Sequence, residues 1–129
     1  MVRLELPYPP SVNRYYRHVG PRTLISRMGR AYRRRVCAIL RRAGIEPMIG
    51  DLTVGLDFYP PDRRRRDCDN PLKALLDALQ RGGLYEDDSQ IKKLLVVMRK
   101  TVVPGGKAVL CAIPFDPTTV KDIRHEITA

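Results

Sequence analysis

Four arginines, Arg63, Arg64, Arg65 and Arg66, run directly into Asp67-Cys68-Asp69-Asn70. Guanidinium groups hold phosphate oxygens in forked pairs, and two carboxylates one residue apart offer hard oxygen ligands to a divalent cation that activates water. Hydrolysis of a phosphodiester needs both. In an extended segment, the i, i+2 spacing turns the two carboxylates to one side. Asn70 is suited to cap a helix, Pro71 to its first position and Gly82-Gly83 to its end. Leu72, Leu75, Leu76 and Leu79 supply the buried stripe of that helix. Lys73 then falls about one turn beyond Asp69, within reach of a phosphate bound at the carboxylates. An i, i+4 pair with Asp77 is the other use for Lys73, and the two roles are compatible. Glu86-Asp87-Asp88 forms a second acidic group, which on its own reads as a solvated turn.

The elements that must position these residues are legible from periodicity. Val2 to Leu6 alternates as a short strand and stops at Pro7, Pro9 and Pro10. Ser11 to Gly20 reads as a loop in which Asn13, Arg14, Tyr15, Tyr16, Arg17 and His18 interleave cationic and aromatic groups, a composition suited to nucleic acid. Ser26 caps a helix from Arg27 to about Ala43, with Gly44 in the left-handed position after its end. Met28, Tyr32, Val36, Ile39, Leu40 and Ala43 share one face, and Arg30, Arg33, Arg34 and Arg41 share the other, toward solvent or phosphate. Leu52 to Tyr59 alternates strictly and is a strand. Ile91 to Val103 and Lys107 to Phe115 read as two strands of a hairpin around Pro104-Gly105-Gly106. The polar tail, Asp116 to Ala129, has room for one short helix. The expected architecture is α+β (mixed α/β): one domain over residues 1–129, with a mixed β-sheet packed by two main helices.

Composition narrows the partners. The chain is 43% hydrophobic and 29% charged, with a net charge of +10. Between Leu6 and Ile45 there are ten arginines and no acidic residue, whereas the remaining fourteen basic and fourteen acidic side chains cancel. Such asymmetry suits a polyanion, whose phosphate contacts release condensed counterions. No apolar run is long enough to span a bilayer, and the N-terminus lacks the apolar stretch of a secretory signal, so the cytoplasm is expected and no membrane partner. Cys37, Cys68 and Cys111 are odd in number and widely spaced, which argues against a disulfide framework or a zinc site. Cys68 is read as small apolar filler, and no organic cofactor is expected. From the residues alone, a nuclease for branched or duplex DNA and a non-catalytic nucleic-acid binder both stay open. Acids set among arginines favour the nuclease, because uncompensated acids repel phosphate.

Three segments carry a family resemblance: Pro9-Pro10-Ser11-Val12-Asn13-Arg14-Tyr15-Tyr16-Arg17-His18, Asp62-Arg63-Arg64-Arg65-Arg66-Asp67-Cys68-Asp69-Asn70, and Gly83-Leu84-Tyr85-Glu86-Asp87-Asp88-Ser89-Gln90. In order and spacing they resemble the RusA family of Holliday junction resolvases, over almost the whole chain. The resemblance implies a small homodimeric endonuclease of mixed α/β structure, dependent on Mg²⁺ with Mn²⁺ as a substitute. It would nick four-way junction DNA symmetrically in recombination and repair, and many relatives are carried by phages and prophages. It further implies Asp67, Asp69 and Asp88 as the metal-binding acidic set and Lys73 as the essential lysine, with Asp87 a secondary candidate beside Asp88. DNA contacts are expected from Asn13 to His18, from Arg30, Arg33 and Arg34, and from Arg63 to Arg66. The chain departs from the family's pattern at Cys68 and Pro71, where leucines stand in a member of the family.

Overall fold

The computed structural model describes residues 1–119. Its elements in chain order are β1 (Val2–Leu6), α1 (Val12–Tyr15), β2 (Tyr16–Val19), β3 (Arg22–Ile25), α2 (Arg27–Arg42), β4 (Leu52–Tyr59), α3 (Leu72–Arg81), β5 (Ile91–Met98) and β6 (Lys107–Pro114). Single 3-10 turns occupy Asp88–Gln90 and Pro117–Thr119. The short helix expected in the tail lies, apart from that last turn, outside the described residues.

Alternation in β4 produces its role. Leu52, Val54, Leu56 and Phe58 are fully or nearly fully buried, each stabilising the fold by about 1.5–3 kcal/mol. The strand is central in a four-stranded mixed sheet of order β1-β6-β4-β5, antiparallel to β6 and parallel to β5. This overturns the hairpin expected of β5 and β6, because β4 lies between them. The chain leaves β5 at Met98, follows the end of β4 through Arg99 N to Phe58 O (2.8 Å) and Val103 N to Pro60 O (3.0 Å), and only then turns back. Gly105 and Gly106, with φ of 77° and 70°, make that turn in a region other residues avoid. The turn signal was real, but the strands it connects are not neighbours.

One face of the sheet shares a core with α2 and α3, through Val36, Leu40, Leu75, Leu79, Leu110 and their neighbours. The other face is left uncovered among the described residues and carries exposed Leu95, Val97 and Ile113. Ser26 caps α2 as expected, its Oγ accepting from Gly29 N at 3.0 Å, and Gly44 follows with φ of 65°. The apolar face of α2 differs in detail. Met28 and Ala43 are exposed, whereas Gly29 is buried where α2 crosses α1. A Cβ there would lie 2.8 Å from Tyr15 O and from Ile25 Cγ2, so the approach needs a glycine.

Candidate active site

Asp67 and Asp69 precede α3, but not in the extended segment the spacing suggested. Asn70 N donates to Asp67 O (3.2 Å) and Leu72 N to Asp69 O (3.1 Å), so Asp67 opens a tight turn, Asp69 lies within it, and the turn feeds the helix. Asn70 does not cap α3; Pro71 occupies the cap position and offers no side-chain bond. Instead Asn70 receives Val12 N on its backbone oxygen (3.1 Å) and on Oδ1 (3.3 Å), so the turn is tied to the start of α1. Both carboxylates are exposed and stand near the positive end of the α3 dipole, which favours negative charge there. Cys68 between them is exposed and free, so it fills no core.

Lys73 is exposed on the first turn of α3. The alternative pair with Asp77 is not made, because Asp77 is bonded to Arg33 and Tyr15. Among the described residues, ion pairs engage Glu5, Asp57, Asp62 and Asp77, and none engages Asp67, Asp69 or Lys73. Asp88 is also exposed, at the start of its 3-10 turn, with its N–H on Gln80 Oε1 at 3.3 Å. It is therefore held against the second half of α3, a helix of ten residues and about 15 Å long. Among the described residues no three of His, Cys, Asp and Glu gather closely enough to form a ready-made metal site. The hard donor pair Asp67 and Asp69 nevertheless fits Mg²⁺, which commonly takes one or two carboxylates and completes its shell with water and substrate phosphate. Asp87 has another task. Its carboxylate accepts from Ser89 N (2.8 Å) in a capping box with Gln90, and that bond holds its pKa below the usual carboxylate range.

The expected DNA contacts divide into exposed and internal groups. Asn13 and Arg14 on α1, Arg17 and His18 on the β2–β3 hairpin, and Arg30 and Arg34 on α2 are exposed. Ser11 to Gly20 is thus a short helix and a strand of an exposed hairpin, not a loop. Tyr16 is half-buried and packs edge-on against Tyr15. Tyr15 itself is 0% exposed and cannot meet DNA. Its hydroxyl donates to Asp77 and accepts from Arg33 Nε (2.7 Å), and burial followed by the Asp77 bond pushes its pKa up. Arg33 lies over the Tyr15 ring and pairs with Asp77 at 2.5 Å, so it too belongs to the scaffold. These corrections share one cause. Three elements, α1, α2 and α3, meet where Gly29 lets them approach, and the polar groups there must satisfy one another.

Arg63, Arg64 and Arg65 are exposed, whereas Arg66 is drawn inward. Its Nη1 donates to Asp62 Oδ1 at 2.7 Å and to the carbonyls of Asp62 and Arg64 at 3.3 and 3.2 Å. Asp62 also accepts from Arg64 N at 2.9 Å; the Arg66 bond first and this one second hold its pKa at about 2. Asp62 is an organising residue that the motif reading passed over, although its i, i+4 spacing to Arg66 was the available signal.

An arginine-bearing loop, two uncommitted carboxylates and an uncommitted ammonium beside one helix start are groups of the kind that metal-assisted phosphodiester hydrolysis uses. Residues 7–107 match the family described as Endodeoxyribonuclease RusA. The chain belongs to that family. It is 42% identical over 105 residues, covering 81% of this chain and 87% of the relative, to the Escherichia coli (strain K12) protein named crossover junction endodeoxyribonuclease RusA. The relatives of that name from Enterobacteria phage 82 and Shigella sonnei (strain Ss046) are 42% and 43% identical over the same shares.

Proposed function

We propose that the protein is a Holliday junction resolvase, a Mg²⁺-dependent endonuclease that acts as a homodimer on four-way DNA in the cytoplasm. Supporting this is one observation above the others: Asp67, Asp69 and Lys73 remain uncommitted at the surface while neighbouring Asp62 and Asp77 are bound by arginines. Their relatives' names supply the substrate. In this reading Asp67 and Asp69 hold the cation, and Asp88 completes the acidic set from the flank of α3. The bound cation supplies Lewis acidity and a water of lowered pKa, and Mn²⁺ can replace Mg²⁺. Lys73 offsets charge developing on the phosphate oxygens. Exposed Arg63, Arg64 and Arg65 hold the strand beside the carboxylates, and Arg30 and Arg34 gather DNA from α2. A four-way junction has approximate two-fold symmetry and needs two nicks, which a C₂ pair of sites matches. Exposed Leu95, Val97 and Ile113 offer apolar area for pairing.

A cleavage gel of four-way junction, fork and linear duplex, with Mg²⁺ and with EDTA, tests the reading alongside sedimentation. Paired symmetric nicks in the junction alone, dependent on Mg²⁺ and made by a dimer, are expected. Indiscriminate cutting points to a general nuclease, and binding without cutting to a DNA-binding protein.

A further inference from the structure

Beside the Asp67–Asn70 turn, a cleft of about 280 Å³ opens between the segment after β1, the first turn of α2 and the arginine loop. Tyr8, Met28 and Pro61 give it apolar walls, and Arg14, Arg64 and Arg65 line it with positive charge. Asn70 and Pro71 also line it, so it is continuous with the turn that bears the carboxylates. Just under the range for ligand pockets, its volume excludes a duplex and is on the scale of one nucleobase with its sugar. Arg66 adds a fixed recognition group. All its bonds to Asp62 and Arg64 run through Nη1, so the guanidinium is anchored in the cleft wall with Nη2 and Nε still available as donors. A donor fork already held in place gives up little entropy when it binds.

We propose that this cleft receives a single unpaired nucleotide from the branch point, with its base against Met28 and Pro61, its acceptor edge on Arg66 and its phosphate on Arg14, Arg64 and Arg65. The inference rests on branched DNA being the substrate. Bases at a branch point are the least costly to unpair, because they already lack a full stack. Apolar walls would do nothing for a phosphate alone, and the arginines would do nothing for a neutral apolar ligand. A nucleotide uses both. Its seating next to Asp67 and Asp69 would fix which phosphodiester lies at the carboxylates, so the cleft would set the position of the cut.

Immobile four-way junctions that each carry one abasic residue near the exchange point test this, with single-turnover rates for the wild type and Met28→Trp. Met28 is 50% exposed, so the larger ring enters the cleft without disturbing the core; Arg64→Trp, at a side chain 78% exposed, is the second filling variant. In the wild type, one abasic position should slow cutting about ten-fold, the size of one lost base-packing contact. Each filling variant should cut the intact junction about ten-fold slower and be indifferent to that abasic position. A wild type indifferent to every abasic position overturns the proposal, as does a variant that keeps the wild-type abasic pattern, whether its rate is normal or reduced. A wild type that leaves the intact junction uncut removes the resolvase reading itself, which separates the two failures.

Discussion

Arg33 Nε donates to Asp77 Oδ2 at 2.8 Å, joining α2 to α3 across 44 residues of sequence, and the buried hydroxyl of Tyr15 brings α1 into the same cluster. The cluster holds α1 beside the turn that carries Asp67 and Asp69, since Val12 N is bonded to Asn70. It is scaffold for the candidate site, its polar groups being satisfied by one another.

Asp77→Ala should therefore destabilise the protein by about 1–3 kcal/mol, because it leaves the Tyr15 hydroxyl proton without its acceptor and the half-buried Arg33 guanidinium without its carboxylate. Tyr15→Phe, which removes one donor and keeps the ring packed, should lose about 0.5–1.5 kcal/mol. Urea unfolding of both variants checks the order. Equal stability of Asp77→Ala and wild type would show that the cluster does not support the fold.

The two neighbouring arginines of α2 should behave differently toward DNA. Arg34 is exposed and Arg33 is committed to Asp77. Arg34→Ala should lower the slope of log affinity against log salt by about 0.9, the value of one lost phosphate contact. Arg33→Ala should leave that slope unchanged and lower the unfolding midpoint instead. Binding titrations from 50 to 200 mM salt, the range over which such contacts are read, distinguish them.

Asp62 sets a pH limit for the arginine loop. Its folded pKa of about 2 lies below the ordinary aspartate value, which is about 3.9. The contribution of its bonds is thus complete above the ordinary value and is lost as pH falls through about 2. Carboxyl carbon NMR should give Asp62 a midpoint near 2, and Arg66→Gln should move that midpoint upward. An unchanged midpoint in Arg66→Gln would assign the shift to Arg64 N instead.

The sequence disclosed elements whose periodicity is local. Alternation in β4, the Ser26 cap of α2 and the leucine stripe of α3 each lie within one segment, and each stands in the structure. Pairing between distant segments left no local mark. Nothing around Pro104-Gly105-Gly106 indicates that β4 separates β5 from β6, since the turn has the same residues either way. The interleaved aromatic and basic residues of α1 and α2 could not be sorted into DNA-facing and internal groups because Asp77, which claims Tyr15 and Arg33, comes from another helix. At the candidate site the motif offers residue types and not their arrangement: Asp67 and Asp69 lie in a turn, while Asp88 lies against the second half of α3.

Asp69, in the turn before α3, and Lys73, in the first turn of α3, are both exposed, and they should fail differently. If Asp69 holds the cation as proposed, Asp69→Asn removes a hard anionic ligand along with a charge that repels phosphate, so cutting should fall at least about a hundredfold while junction affinity holds or rises. Lys73→Met removes a cation that matters most when charge builds on the phosphate, so the cutting rate should fall about 10²–10³-fold. Its junction affinity should weaken only by the share of a single phosphate contact. Single-turnover cleavage combined with fluorescence anisotropy separates rate from affinity in both variants. A folded Asp69→Asn protein that cuts at the wild-type rate would remove Asp69 from the metal site, and a Lys73→Met protein impaired only in affinity would make Lys73 a DNA-gathering residue like Arg34.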